Sequence, residues 1–281
     1  MKAELNKIIR KVLGVKQKQM IAYHKYPINF MKKLPDFMII GSQKAATSTL
    51  HNYLSLHNKI SKPILKEAQF FSANYERGIN YYKSIFPICN KSNLIFESTP
   101  DYLSHPLAAK ECFEVLPNLK IIVTLRNPVE RSFSHFNFVK GYGGESSDMT
   151  FEKALELEPK RVLDALNLME KDRYHASLKL SRYGYVRNSE YLTHLQNWLT
   201  YYPIKQFHFI DFSDLKQDAN KVLNEIHLFL GVEYESIKSY VVANKSNYDS
   251  NIKDSTQIML REHFKDYNED LFKLIGKRLD W

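Results

Sequence analysis

The chain has 281 residues, of which 44% are hydrophobic, 25% charged and 13% aromatic, so it can bury a large core. These proportions exclude a disordered, a collagen-like and a small disulfide-stapled protein. The formal net charge is +9, but residues 1–33 hold nine lysines and arginines against Glu4 alone, so the rest of the chain is nearly neutral. No nucleic-acid partner is therefore expected, because a basic surface across the fold is not implied.

The first 33 residues are predicted to form a basic helical leader. Such a helix fits either packing on the domain with its charges in water or peripheral contact with an anionic membrane surface. No apolar run exceeds four residues, whereas a membrane span needs about 20, so neither a spanning segment nor a secretion signal is expected. The apolar residues that recur at helical spacing in the leader are Leu5, Ile8, Ile9, Val12 and Leu13.

The two cysteines, Cys89 and Cys112, have neither the spacing of metal ligands nor the number of a disulfide framework. We interpret them as small buried apolar side chains in a reducing compartment, so a cytoplasmic location is expected.

Apolar, β-rich runs alternate with helix-like stretches over residues 34–281. This alternation predicts a single α/β domain, with a parallel sheet flanked by helices on both faces. The predicted strands are 37–40, 94–96, 121–125 and 207–210, and the predicted helices are 46–57, 104–115, 128–140, 151–172, 187–201, 213–230 and 255–276.

The segment after the first predicted strand is a small-residue turn that leads into a helix. Such a turn aims backbone N–H groups and the helix dipole at one point, which makes an anion site. Lys44 adds a positive charge, although an ordinary turn with a solvated lysine is the alternative. In a nucleotide-binding P-loop the lysine directly follows a second glycine, whereas here Ala46 and Thr47 occupy those two places, which disfavours a magnesium–nucleotide site. The predicted anion-binding residues are Gly41, Ser42, Gln43, Lys44, Ala45, Ala46, Thr47, Ser48 and Thr49.

A carboxylate precedes an aromatic pair in the segment Lys66-Glu67-Ala68-Gln69-Phe70-Phe71. If the two rings are buried, Glu67 beside them can be desolvated enough to act as a general base. A surface glutamate in a loop is the alternative.

A second basic position follows the predicted strand 121–125. Arg126 stands at its carboxyl end, where open α/β sheets bind ligands. Ser134, near the second turn of the next helix, is placed to face the same pocket. A guanidinium and a hydroxyl suit a phosphate monoester, and a structural ion pair of Arg126 is the alternative.

In this order, these segments resemble the sulfotransferases that use 3'-phosphoadenylyl sulfate (PAPS), particularly the domains acting on heparan sulfate. The resemblance extends over about residues 36–276. It implies transfer of the sulfuryl group from PAPS to a hydroxyl or amine, with a carbohydrate as the acceptor partner, PAP as the product and no metal. The segments that carry it are Gln43-Lys44 to Thr47-Ser48, Glu67 to Phe71 with Tyr81-Tyr82 and Phe86-Pro87, Leu125 to Pro128 with Ser134, Arg182 to Tyr185, and the closing helix.

The resemblance also implies a role for individual residues. Glu67 and Lys44 would be catalytic, the turn 41–49 would hold the 5'-phosphosulfate, and Arg126, Ser134 and Lys245 would hold the 3'-phosphate. Two departures from the heparan-type pattern matter. The lysine that follows a strand glutamate in those enzymes is replaced by Ser98, and their late basic loop is reduced here to Asn244-Lys245-Ser246.

Other titratable residues receive less specific interpretations. His51, His57, His105 and His135 are expected to be partly exposed structural residues. Glu97 and Asp101 are interpreted as an acidic cluster at a helix N-terminus rather than as lining for an acceptor pocket. The competing functions are a P-loop-type nucleotide kinase and a non-catalytic binder of anionic polysaccharide or membrane.

Overall fold

The structure, a computed structural model, describes residues 31–90, 92–237 and 251–281. Residues 1–30 of the predicted leader and Lys245 lie outside this part of the chain. Lys32, near the end of the predicted leader, is buried and donates a hydrogen bond to the carbonyl of Ser84 at 2.8 Å.

A five-stranded parallel sheet forms the centre, in the order β2-β3-β1-β4-β5. The chain thus places β2 and β3 on one side of β1, and β4 and β5 on the other. The carboxyl ends of β1, β3 and β4 lie side by side, the arrangement in which open α/β sheets bind ligands. The strands are β1 (Phe37–Gly41), β2 (Ile60–Ser61), β3 (Leu94–Ser98), β4 (Lys120–Leu125) and β5 (Phe207–Asp211).

Helices cover both faces of the sheet, as predicted. Within the described residues they are α1 (Thr47–Leu54), α2 (Gly78–Ser84), α3 (Ala108–Val115), α4 (Pro128–Gly141), α5 (Phe151–Leu168), α6 (Arg173–Tyr183), α7 (Tyr191–Leu199), α8 (Phe212–Gln217), α9 (Ala219–Leu230) and α10 (Asp254–Ile275).

The central strand divides its side chains between two cores. Met38 and Ile40 pack in one core with Trp198 of α7, and Phe37 and Ile39 pack in the other with helices α1 and α9. Because successive side chains of a strand point to opposite faces, both sets must be apolar when helices cover both faces. The unbroken apolar run of β1 follows from this double burial.

Several helix boundaries differ from those predicted. The helix predicted at 151–172 ends at Leu168, and α6 follows as a separate helix in which few apolar residues are buried. The helix predicted at 213–230 is two helices, because the Asp218 carboxylate accepts a hydrogen bond from the N–H of Lys221 at 3.0 Å and caps α9. The helix predicted at 104–115 begins at Ala108. The helix predicted at 187–201 is preceded by a 3₁₀ turn and begins at Tyr191.

Candidate active site

The turn after β1 has the geometry of an anion site. Lys44 and Ala46 have φ values of 70° and 63°, in the left-handed region that costs residues other than glycine about 1 kcal/mol or more each. In the described chain, Ala46 gives α1 no side-chain cap, and the first turn of α1 contains no acidic residue. The N–H groups and the positive end of the helix dipole therefore point into this turn, which favours a bound anion.

Hydrogen bonds from β4 and α6 hold the turn in place. The N–H of Ser42 donates to the carbonyl of Thr124 at 2.7 Å, and the Thr124 hydroxyl donates to the carbonyl of Gly41 at 2.9 Å. The Gln43 side-chain amide donates to the Ser181 hydroxyl at 2.7 Å. The strained backbone is thus fixed by its surroundings, so its donors are oriented in advance.

Arg126 lies against this turn. Its Nη1 donates to the carbonyl of Lys44 at 3.2 Å, and its Nη2 donates to Glu130 at 3.0 Å. The guanidinium lies 4.7 Å from the Phe212 ring centroid, and the Tyr191 hydroxyl donates to the Arg126 carbonyl at 2.9 Å. The Arg126 side chain is only 18% exposed, so its donors are held at the edge of the turn.

The remaining predicted residues near β4 lie on or against α4. The ammonium of Lys44 is 4.2 Å from the Phe138 ring centroid, a cation–π contact. Ser134 is buried on the same helix, which follows Arg126 directly. The structure therefore brings the turn and Arg126 together at the carboxyl ends of β1 and β4, and the ligand-binding roles assigned to them stay predictions.

Glu67 is exposed, so the prediction that the aromatic pair desolvates it is wrong. Phe70 and Phe71 are buried beneath the segment, whereas the Glu67 side chain is 43% exposed. The Lys66 ammonium donates to Glu67 Oε1 at 2.6 Å and to the Ser48 hydroxyl of α1 at 2.9 Å. Lys66 was given no role from sequence, because its contact with Ser48 is tertiary. It joins the carboxylate to the anion-binding turn.

A buried carboxyl at the end of β3 fixes the backbone that carries Glu67. Glu97 accepts hydrogen bonds from the hydroxyls of Tyr82 at 2.7 Å, Tyr102 at 3.3 Å and Thr99. The Tyr102 hydroxyl in turn accepts from the N–H of Phe70 at 2.7 Å, and the Thr99 hydroxyl accepts from the N–H of Gln69 at 3.3 Å. Burial raises the pKa of Glu97 to about 7. Glu97 therefore holds the backbone of the Glu67 segment in place through the hydroxyls of Tyr102 and Thr99.

The interpretation of Glu97 and Asp101 as a helix N-terminal cluster is wrong. The nearest helix, α3, begins only at Ala108, and both carboxyls are buried. Asp101 Oδ1 has no hydrogen-bond partner among the described residues. Burial, and next the negative charge of Glu67, raises the pKa of Asp101 to about 7. Asp101 is thus a second carboxyl within electrostatic reach of Glu67.

The four histidines considered from sequence are structural, but they are buried rather than partly exposed. His51, His57, His105 and His135 are each no more than 6% exposed. Burial lowers the pKa of both His51 and His105 to about 3 and holds that of His135 well below its usual value. These three rings are neutral near pH 7.

Other expectations concern metal ions and membranes. The described ranges contain no cluster of histidine, cysteine, aspartate and glutamate side chains suited to a metal ion. No helix within the described part of the chain is long and apolar enough to cross a bilayer. Of the two cysteines, Cys112 is buried as predicted, whereas Cys89 is only half-buried.

The fold is a P-loop-like α/β domain, and its site has the geometry to hold an anionic group. The predicted anion-binding turn follows the central strand, an arginine follows the neighbouring strand, and an exposed carboxylate is joined to the turn. Residues 34–278 match the sulfotransferase domain family, and the chain belongs to that family. The resemblance inferred from sequence is thereby confirmed.

Individual relatives agree with this assignment. The chain is 32% identical over 221 residues to the bifunctional heparan sulfate N-deacetylase/N-sulfotransferase 1 of Caenorhabditis elegans, covering 76% of this chain and 24% of that protein. It is 31% identical over 209 residues to the human heparan sulfate N-deacetylase/N-sulfotransferase 2, covering 71% and 22%. The chain therefore spans about a quarter of the length of these curated relatives.

A solved structure shows the same architecture. The sulfotransferase from Alicyclobacillus acidocaldarius superposes with a TM-score of 0.74 at 25% identity, covering 88% of this chain and 98% of that chain. The family match and these relatives give no support to the nucleotide-kinase alternative.

Proposed function

We propose that the protein transfers the sulfuryl group of PAPS to an amine or hydroxyl of a carbohydrate. The observation that carries the proposal is the junction of three groups at one sheet edge. The turn after β1 is bonded to Arg126 through the carbonyl of Lys44 at 3.2 Å, and Glu67 is joined to Ser48 through Lys66. Such a junction provides anion binding and proton acceptance side by side.

The residues of the site fit the two ends of the donor. The uncapped first turn of α1 and the Lys44 ammonium suit the 5'-phosphosulfate, because both present positive charge to an anion. Arg126, whose guanidinium offers several donors at the edge of the turn, suits the 3'-phosphate, and Ser134 lies on the helix that follows it. Lys245 lies outside the described residues, and its role in this set comes only from the resemblance. The bound donor supplies the sulfuryl group, which passes in line to the acceptor atom and leaves PAP.

Glu67 is the proposed general base. Its Oε1 accepts from Lys66, so Oε2 is the oxygen that we assign to the acceptor proton. Its exposure of 43% leaves it reachable by an acceptor approaching from solvent. Lys44 and the N–H groups of the turn offset the negative charge that grows on the leaving phosphate.

A carbohydrate is the proposed acceptor class. The worm and human relatives are named for heparan sulfate and for N-sulfation. Because the chain spans only about a quarter of those proteins, this acceptor is inferred by analogy and not from the geometry of the site.

The test combines an activity screen with two variants. Wild-type protein is incubated with radiolabelled PAPS and a panel of amino sugars, polysaccharides and small alcohols, and labelled products are counted. Glu67→Gln should lower kcat by about 10²- to 10⁴-fold and leave the donor Kd within about twofold, measured by calorimetry. Arg126→Ala should instead raise the donor Kd by about 10- to 100-fold, because it removes charge-assisted hydrogen bonds. Equal loss of donor affinity in both variants would contradict these roles.

A further inference from the structure

Lys66 lies between the proposed base and the proposed donor site. Its ammonium is bonded to Glu67 Oε1 at 2.6 Å and to the Ser48 hydroxyl, in the first turn of α1, at 2.9 Å. A lysine ammonium has three N–H groups, and these two bonds use two of them. A third N–H is left to donate to the sulfuryl end of a bound donor.

A cation at this place favours the proposed reaction. A carboxylate base and a phosphosulfate are both anions, and two like charges at close range repel each other. A positive charge bonded to the carboxylate and facing the donor removes this repulsion. It also stabilises charge on the sulfuryl oxygens during transfer.

Two other cations of the described residues lie near the turn, and they have different partners. Lys44 lies against the Phe138 ring, and Arg126 is bonded to Glu130 and to the Lys44 carbonyl. His51, one helical turn beyond Ser48, is neutral, because burial and then the charge of Lys66 lower its pKa to about 3.

Ser98, at the end of β3, has a neutral hydroxyl and cannot supply a positive charge. It is fully buried, and its hydroxyl has no hydrogen-bond partner among the described residues. In this part of the chain, Lys66 is the ammonium bonded both to the base and to a hydroxyl of the turn.

Stability does not account for the Lys66–Glu67 pair. The two side chains are 30% and 43% exposed, and an exposed ion pair contributes little to stability. The residues are also adjacent in sequence, so their bond restrains no distant part of the chain. The bond to Ser48, 18 residues away, is the one that ties this charge to the donor site.

We propose that Lys66 is a catalytic residue that bridges the base and the sulfuryl group, an inference that rests on the proposed function. In the transfer step the acceptor nitrogen or oxygen forms a bond to sulfur. The bond between sulfur and the 5'-phosphate oxygen breaks, and both its electrons stay on the phosphate. The acceptor proton passes to Glu67 Oε2, while Lys66 keeps its proton and donates to a sulfuryl oxygen.

The test compares Lys66→Ala with Lys62→Ala, an exposed lysine of the same segment whose charge also reaches His51. Lys66→Ala should lower kcat about 100-fold, as expected for loss of one preorganised donor, and Lys62→Ala by less than about threefold. Because PAP lacks the sulfuryl group, Lys66→Ala should weaken PAPS binding about 10-fold and leave PAP binding unchanged. Unchanged PAP binding also shows that the variant is folded.

A double variant separates a catalytic from a positioning role. If Lys66 acts on the sulfuryl group, adding Lys66→Ala to Glu67→Gln should lower the single-turnover rate by at least about 10-fold further. An effect that vanishes in the Glu67→Gln background, or a Lys66→Ala variant that matches Lys62→Ala, overturns the inference while leaving the proposed function intact. A wild-type protein that neither binds PAPS nor transfers its label overturns both.

Discussion

Glu97→Gln tests the buried carboxyl that supports the Glu67 segment. Glu97 is fully buried and accepts hydrogen bonds from three hydroxyls, and burial raises its pKa from 4.5 to about 7. Because the pKa is higher in the folded than in the unfolded protein, the folded state binds the proton more tightly. The stability from this group is therefore fully present below pH 4.5 and is lost as the pH rises through 7.

The expected size of this pH effect follows from the difference between the folded and unfolded pKa values of Glu97. A pKa of about 7 in place of 4.5, at about 1.4 kcal/mol for each pH unit, corresponds to about 3 kcal/mol. Glutamine has nearly the same shape but does not titrate. The free energy of unfolding of the variant, relative to the wild type, should therefore rise by about 3 kcal/mol between pH 4.5 and pH 8. Asp101 and Glu158, whose pKa values burial also raises to about 7, are present in both proteins.

Urea unfolding followed by tryptophan fluorescence at pH 4.5 and pH 8 measures this difference. Glu156→Gln is the matched control, because its side chain is 64% exposed on α5 and makes only a surface ion pair with Lys153. The control should show a change of less than about 0.5 kcal/mol between the two pH values. If the Glu97→Gln difference is equally small, burial does not control the ionisation of Glu97 and the reasoning is refuted.

Three further variants test how the site is held. In Gly41→Ala the added Cβ lies 2.7 Å from Leu103 Cβ. Thermal unfolding should therefore show that the free energy of unfolding falls by about 1–3 kcal/mol, and calorimetry should show a weaker affinity for PAPS. Arg173→Met leaves the carboxylate of Glu111 without its two short bonds of 2.5 and 2.6 Å. It should cost about 3–5 kcal/mol in urea unfolding, and additional Glu111→Leu should recover part of this loss. Tyr191→Phe removes the hydroxyl bond of 2.9 Å to the backbone after β4 and should cost about 1 kcal/mol; an unchanged Tm would show that this bond is not needed.

Local sequence determined the main strands of the sheet and the turn after β1. The strands β1 and β4 are apolar on both faces because helices cover both sides, so they stand out as continuous runs such as Phe37–Ile40. The start of α4 is equally local, because the Asn127 side chain accepts from two N–H groups of the helix and Pro128 occupies its first position. The short strand β2 and the polar helix α6 carry too weak a pattern to be predicted.

Tertiary structure alone decided the surroundings of the charged groups. The exposure of Glu67, the burial of Glu97 and the bond from Lys66 to Ser48 each depend on segments brought together by the sheet. A one-dimensional pattern gives the type and spacing of residues, but it contains no distance between the end of one strand and the end of another. The family and the turn after β1 were therefore readable from the amino-acid order, whereas the exposure of the proposed base and its link to that turn were not.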